Sequence, residues 1–347
     1  MKSQPTSIVL SICIPSYKRG AFLANRIKHW LAKTRRADFE IIVADNASKD
    51  GSVEILSTIN DNRFSLIIND TNVGGFENGL KTFGSARGKY FMILTDKDTL
   101  AFEHCDEILN TLKKIDVACG LIVPDTKSFT QIKITEGKDR ILFKHGLRYA
   151  HPSGHFYRTD LIKSGHIFTS LRMMPENIRP FSTDFQISLF ANHGSFAQIE
   201  IPFVRLIAPP FEGIAKSATY TNPSSAFFMP QAHFDVLCIY IKLLHSLRQG
   251  LLLRLLTIFK HAGLLFAFST STYLYLLKQD NLCEWYGLSP AFRSNEMRRP
   301  LIREYYRRIF GAKCLSLSDK LSLAFGGLCC LPLAFLFKLR ISREVDP

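Results

Sequence analysis

The chain has 347 residues, with 44 Lys and Arg against 30 Asp and Glu, a net charge of +14; 46% of it is hydrophobic and 21% charged. With 20 Gly and 15 Pro it is neither collagen-like nor low in complexity, and so apolar a chain is not disordered. The cationic excess favours a polyanionic partner: nucleic acid, an anionic membrane surface or a phosphorylated substrate.

The first apolar run, Ile8 to Ile14, is short and β-branched and stops at Pro15-Ser16-Tyr17. It has no small-residue cleavage site, so it is a strand and not a signal sequence. Ala21 to Lys33 places Phe22, Leu23, Ile27, Trp30 and Leu31 at helical spacing. Phe39 to Ala44 is the second strand, and Ser52 to Ile59 a helix with Asp50 as N-cap. Strands over 64–68, 90–94 and 117–123 alternate with helices over 76–85 and 103–114. Such alternation builds a mainly parallel sheet with helices on both faces, and ligands bind where its strands end.

Those ends read Pro15-Ser16-Tyr17, Asp45-Asn46, Asn69-Asp70-Thr71-Asn72 and Thr95-Asp96-Lys97-Asp98. No Gly-x-Gly-x-x-Gly and no Walker loop occurs, which disfavours a dinucleotide cofactor. Asp96 and Asp98 share one side if the chain stays extended, and two carboxylates there suit a hard divalent cation shared with substrate phosphates. An Asp-x-Asp alone is a common turn sequence.

The series Ser11-Ile12-Cys13-Ile14-Pro15-Ser16-Tyr17, Asp45 to Ser52, Asn72-Val73-Gly74-Gly75 with Asn78-Gly79, Ala86-Arg87-Gly88-Lys89-Tyr90 and Leu94 to Asp98 resembles glycosyltransferase family 2. The resemblance implies a GT-A (Rossmann-like) fold, α/β with a mostly parallel sheet flanked by helices, and an inverting, nucleotide-sugar-dependent transferase. It implies that Pro15 and Tyr17 line the base and ribose pocket and that Asp45 accepts a hydrogen bond from the nucleobase. Asn72 and Gly74 would shape the donor loop, and Asp96 would hold the ribose or reach the metal through water. Asp98 would touch the metal, Mg²⁺ or Mn²⁺. Two residues depart from the family pattern: Lys18 stands where Asn is usual, and Lys97 where an acidic or small residue is usual.

Asp184, in a helix opened by Ser182-Thr183, matches the family's catalytic base, although carboxylates also favour helix N-termini for their own sake. His151-Pro152-Ser153-Gly154-His155 resembles the start of the acceptor half, with Gly154 giving backbone clearance for a sugar and both histidines structural. The segment 205–227 lies where the family has a flexible loop, from which Arg205 and Lys216 could reach a diphosphate. His233 is a poor partner for a hard cation. The expected division is 1–230 (donor half 7–123, acceptor half 124–230), then a helical region over 231–347.

That last region concentrates the charge. Lys242 to Pro347 holds 16 Lys and Arg against 7 Asp and Glu, a net of +9. Its two uncharged runs, Ala262 to Leu277 and Leu321 to Phe337, sit at or below the ~17-residue lower limit for a spanning helix, and the second contains Gly326, Gly327 and Pro332. Monotopic membrane association is favoured over a buried helical subdomain and over a span. The 8 cysteines include no Cys-x-x-Cys pair, which fits reduced thiols in the cytosol. The expectation is a transferase acting on a glycan or lipid-linked acceptor in bacterial surface polysaccharide synthesis, on the cytoplasmic face of the inner membrane, without nucleic acid. A sugar-phosphate nucleotidylyltransferase and a non-catalytic membrane- or nucleic-acid-binding protein are the alternatives.

Overall fold

The structure is a computed structural model. It describes residues 7–127, 131–147, 151–176, 179, 182–207, 230–276 and 298–341, without the side chains of 182, 184, 230–233, 265–276, 298–302, 304 and 330–341. The chain divides into two compact units: Met1–Ile141 with Ala150–Pro175 and Ser182–Ala208, and Leu142–Tyr149 with Glu176–Phe181 and Pro209–Pro347.

In the first unit the elements run β1 (Leu10–Ser16), α1 (Gly20–Lys33), β2 (Phe39–Asp45), α2 (Ser52–Ser57), β3 (Phe64–Ile68), α3 (Gly74–Gly84), β4 (Tyr90–Ile93) and β5 (Thr99–Leu100). There follow α4 (Cys105–Lys114), β6 (Cys119–Ile122), β7 (Gln131–Thr135) and α5 (Lys138–His145), whose last turn belongs to the second unit. Next come β8 (His155–Arg158), α6 (Thr159–Lys163), α7 (His166–Arg172), α8 (Ser182–Phe190), β9 (Phe196–Glu200) and β10 (Val204–Arg205).

The main sheet has the order β3-β2-β1-β4-β8-β6-β9-β7, and β5 pairs with β10 in a separate two-stranded sheet. From β3 to β4 every pairing is parallel. This brings the carboxyl ends of β1, β2, β3 and β4 to one edge. β8 is antiparallel to both β4 and β6, which breaks the alternating pattern after the donor half. β1, β2 and β4 are near-continuous apolar runs because helices cover both sheet faces. Trp30 of α1 stacks on Phe102 at 5.7 Å, and Phe39 and Phe203 meet the same ring.

At the opposite end of the strands, buried Glu40 accepts hydrogen bonds from Ser11 Oγ (2.7 Å), Arg87 N (2.8 Å) and Arg87 Nε (2.8 Å). The Ala86-Arg87-Gly88 motif therefore clamps the entry to β4. The N-cap expected at Asp50 falls one residue later. Gly51, with φ 82°, precedes α2, and Asp50 Oδ1 instead accepts from Ser52 N and Ser52 Oγ.

The second unit carries α9 (Pro230–Ser246), α10 (Leu251–Leu276), α11 (Arg298–Gly311) and α12 (Leu317–Ile341). Among the described residues no helix is long and apolar enough to cross a membrane.

Candidate active site

Ser16 and Asp45 are register partners at the ends of β1 and β2. Both side chains are buried, and Ser16 Oγ and Asp45 Oδ1 have no hydrogen-bond partner. The other oxygen, Asp45 Oδ2, accepts from Ser48 N at 2.8 Å. Two adjacent buried orphans are costly unless a ligand or water completes them. Just beyond each strand end the backbone is left-handed at a non-glycine residue, Lys18 (φ 58°) and Ala47 (φ 59°). Lys18 N donates to Ser48 Oγ at 2.8 Å and ties the two loops together. Strained backbone of this kind gathers at functional sites. Pro15 and Tyr17 are half-buried beside it.

An amide network supports this edge. Asn46 Nδ2 donates to Asn72 Oδ1 (2.8 Å), and Asn46 Oδ1 accepts from Val73 N (2.9 Å). Asn72 Oδ1 also accepts from Gly74 N, where φ is +79°. Beneath, Asn78 Nδ2 donates to Ala44 O (2.8 Å) while Asn78 Oδ1 accepts from Asn69 Nδ2 (2.8 Å). Asn46, Asn69 and Asn78 thus hold Asn72 and Gly74 at the start of α3. Asn78 stood in the motif series, but an amide's partners lie far along the chain, and spacing alone does not reveal them.

The acidic motif is a turn: Asp98 N donates to Thr95 O at 3.1 Å. The extended chain that would put both carboxylates on one side is therefore absent. Asp98 is fully buried. Its Oδ2 accepts from Ser153 Oγ (2.5 Å) and Thr95 Oγ1 (2.6 Å) and lies 3.2 Å from His151 Nδ1, while Oδ1 accepts from Ile207 N (3.0 Å). Burial holds the His151 imidazole below its ordinary value, against the pull of Asp98. Arg26, stacked on the Phe22 ring, donates to Lys97 O (2.7 Å) and Asp98 O (2.8 Å) and braces the turn from behind.

Asp96 is half-buried, 23% exposed, 3.8 Å from Arg19 Nε. Burial raises its carboxyl to about 6, opposed by Arg19, the Tyr17 backbone and Lys97. Burial lowers the Lys97 ammonium, opposed by Asp98 and Asp96. Asp96, Lys97 and Arg19 therefore share one polar cluster after β4.

Mg²⁺ or Mn²⁺ needs carboxylate oxygens free to turn towards it. Both oxygens of Asp98 are engaged by protein groups, and Asp96 stands among cations. Among the described residues no group of three or more His, Cys, Asp or Glu is placed to hold a metal. The residues as placed do not fit a cation held directly by Asp98.

Gly154 does not make room for a sugar. Its backbone has φ 93°, and a Cβ there would lie 2.4 Å from Ile122 O, so the glycine serves the close approach of β6. His155 is buried, with Nδ1 3.1 Å from Pro152 O. Arg205 pairs with Glu103 at 3.2 Å. Asp184 is the third residue of α8, in the first turn, and its side chain lies outside the described residues. Lys216, most of the 205–227 loop and the His233 side chain also lie outside them.

Residues 11–173 match the sequence profile of "Glycosyl transferase family 2". Abequosyltransferase RfbV of Salmonella typhimurium strain LT2 is 33% identical over 98 residues, which are 27% of this chain and 29% of that protein. The uncharacterized glycosyltransferase RP339 of Rickettsia prowazekii strain Madrid E is 34% identical over 134 residues, 37% of this chain and 41% of that protein. The matched stretches thus span less than half the length of these curated relatives. Among solved structures, S. aureus TarS 1–349 in complex with UDP aligns with a TM-score of 0.54 at 14% identity, covering 92% of this chain and 90% of that one. The same protein in complex with UDP-GlcNAc aligns with a TM-score of 0.53, also at 14% identity, covering 92% and 91%. These likenesses show the GT-A fold.

Proposed function

We propose that this chain, a member of glycosyltransferase family 2 through residues 11–173, moves a sugar from a nucleotide-diphosphate donor to a hydroxyl of a glycan or lipid-linked acceptor. The observation that carries the proposal is the pair of buried, unpartnered oxygens, Ser16 Oγ and Asp45 Oδ1, at adjacent strand ends beside the Asp96 cluster. In this reading Asp45 accepts from the nucleobase, Pro15 and Tyr17 flank it, and the Asn72–Gly74 loop closes on the donor. Asp96 takes the ribose, and Arg19 and Lys97 meet the charge on the departing diphosphate. Asp98 holds the turn, the 151–153 segment and Ile207 together around them. Asp184 removes the proton from the acceptor hydroxyl as it attacks the anomeric carbon, and configuration inverts through an oxocarbenium-like transition state. No step is routed through a metal, because both oxygens of Asp98 are already hydrogen-bonded to protein groups.

The likeness to an abequosyltransferase supports a place in bacterial surface polysaccharide assembly, and the basic helical unit supports work at the cytoplasmic face of the inner membrane. Calorimetry against a panel of nucleotide-diphosphate sugars, with and without chelator, tests the proposal. Binding of one donor that persists in chelator is expected. Failure to bind any of them, with turnover of a nucleoside triphosphate and a sugar phosphate instead, would identify a nucleotidylyltransferase.

A further inference from the structure

The second unit presents an apolar face on two helices that, among the described residues, carry no exposed acid. α10 and α12 pack closely, since a Cβ on Gly326 would lie 2.3 Å from Phe259 O, and Ser322 Oγ donates to Leu255 O at 2.6 Å. Residue 322 meets 255 and residue 326 meets 259, so the helices run parallel and in step. On two parallel helices that face each other, one residue forward on the first and one residue back on the second turn to the same side. Leu256 follows Leu255, and Leu321 precedes Ser322. Leu252 and Leu256 of α10 therefore share a side with Leu317, Leu321, Phe325 and Leu328 of α12. All six are exposed: Leu252 by 74%, Leu317 by 70%, Phe325 by 58% and Leu328 by 51% among them. The α12 residues recur at steps of 4, 4 and 3, a single helical stripe. A contiguous apolar patch marks a contact surface, whereas leucines scattered singly do not.

The charges choose the occupant. α10 contains no Asp or Glu. α12 contains one, Asp319, which is 1% exposed and held by Ser316 Oγ (2.6 Å) and His245 Nε2 (3.0 Å). Arg248 and Lys313, both exposed, precede the two helices and so lie at the same end of the parallel pair. From Lys242 to Pro347 the net charge is +9. A second copy would set that charge against itself. A bilayer rich in anionic headgroups accepts both the leucines and the cations.

We infer that α10 and α12 lie along an anionic lipid surface, with Leu252, Leu256, Leu317, Leu321, Phe325 and Leu328 entering the headgroup–acyl boundary. The inference rests on the proposed membrane location and assigns it to one face and one lipid chemistry. Its test is flotation of the full chain with vesicles of phosphatidylcholine alone or with phosphatidylglycerol added. Binding only to the anionic vesicles is expected, weakened by salt. Leu321→Gln with Phe325→Gln should lower the partition coefficient by at least about tenfold, because two apolar side chains no longer leave water. Lys313→Gln should lower it about fivefold. Ile134→Gln, an exposed apolar side chain of β7 in the sheet unit, should change nothing, and nucleotide-sugar binding should be intact in every variant. Equal binding to neutral vesicles would overturn the inference. So would no vesicle binding by the parent chain, or a dimer in sedimentation that the double variant abolishes. Vesicle binding without any nucleotide-sugar binding would leave this face standing and remove the proposed reaction.

Discussion

At the strand ends of the sheet unit, Asp45, Asp96 and Asp98 stand at or just beyond the ends of two parallel strands, β2 and β4. Helices α10 and α12 hold a single acid between them, Asp319, and it is buried. The sheet unit gathers polar groups inside and leaves chosen atoms unsatisfied, Ser16 Oγ and Asp45 Oδ1. The helical unit holds Asp319 through Oδ2, from Ser316 and His245, with Arg254 Nε 3.8 Å from Oδ1, and leaves leucines outside. Buried oxygens awaiting a partner mark a small-molecule site, because desolvation is costly until a ligand repairs it. Clustered exposed leucines on helices with no exposed acid among the described residues mark a broad surface contact.

The largest expected effect lies on the sheet side. Asp184→Asn should lower turnover by ~100-fold or more while donor affinity measured by calorimetry stays unchanged. Turnover close to the parent value would take the base role from Asp184.

Asp98 and Asp96 separate support from contact. Asp98→Ala should lower stability in urea by about 3 kcal/mol, since Ser153, Thr95 and Ile207 N all lose their acceptor inside the protein. Asp96→Ala should cost under about 1 kcal/mol, as Asp96 is partly exposed and its ion pair is long. Equal losses would contradict the division of labour between them.

The helical unit should yield first to acid at His261. This imidazole is buried, with Nε2 3.2 Å from Leu142 O, and burial holds it down at about 4 against an ordinary 6.5. Unfolding lets it protonate at 6.5. Its contribution is therefore whole above pH 6.5 and is lost as the pH falls towards 4. The loss amounts to roughly 3 kcal/mol at most. His261→Gln should flatten the fall in denaturation midpoint over that window, and an unchanged slope would assign the acid sensitivity elsewhere.

The smallest effect tests backbone strain. Lys18 holds a left-handed conformation that Asn tolerates better, so Lys18→Asn should raise stability by about 0.5 kcal/mol. It should also weaken diphosphate binding if the cation contributes, which calorimetry would read.

Much of the donor half was legible from residue order. The strand over 39–45 starts where its apolar run starts, because a parallel strand covered on both faces must be continuously apolar; the strand over 64–68 matches its apolar run too, half-buried at the sheet edge. The gathering of Ser16, Asp45 and the 95–98 turn at one edge followed from the same rule, since parallel strands end together. The antiparallel strand β8 between β4 and β6 was not legible, because nothing local distinguishes an antiparallel from a parallel buried strand. Nor was the Asn46–Asn69–Asn78 network, whose members are joined across 9 to 34 residues of chain.

The sequence by itself determined the alternation of strands and helices, the resemblance to glycosyltransferase family 2 over residues 11–173, and the gathering of cations towards the C-terminus. These depend on residue type and short spacing. Only the tertiary structure decided that Asp98 is fully buried and supports the turn from within while Asp96 keeps partial exposure beside Arg19. The turn from Thr95 to Asp98 reverses the alternation that an extended chain would keep, and the groups that capture Asp98 come from residues 151–153 and 207. Which leucines remain outside was likewise set by which faces of α10 and α12 meet, a choice made by Gly326 against Phe259 and invisible in composition.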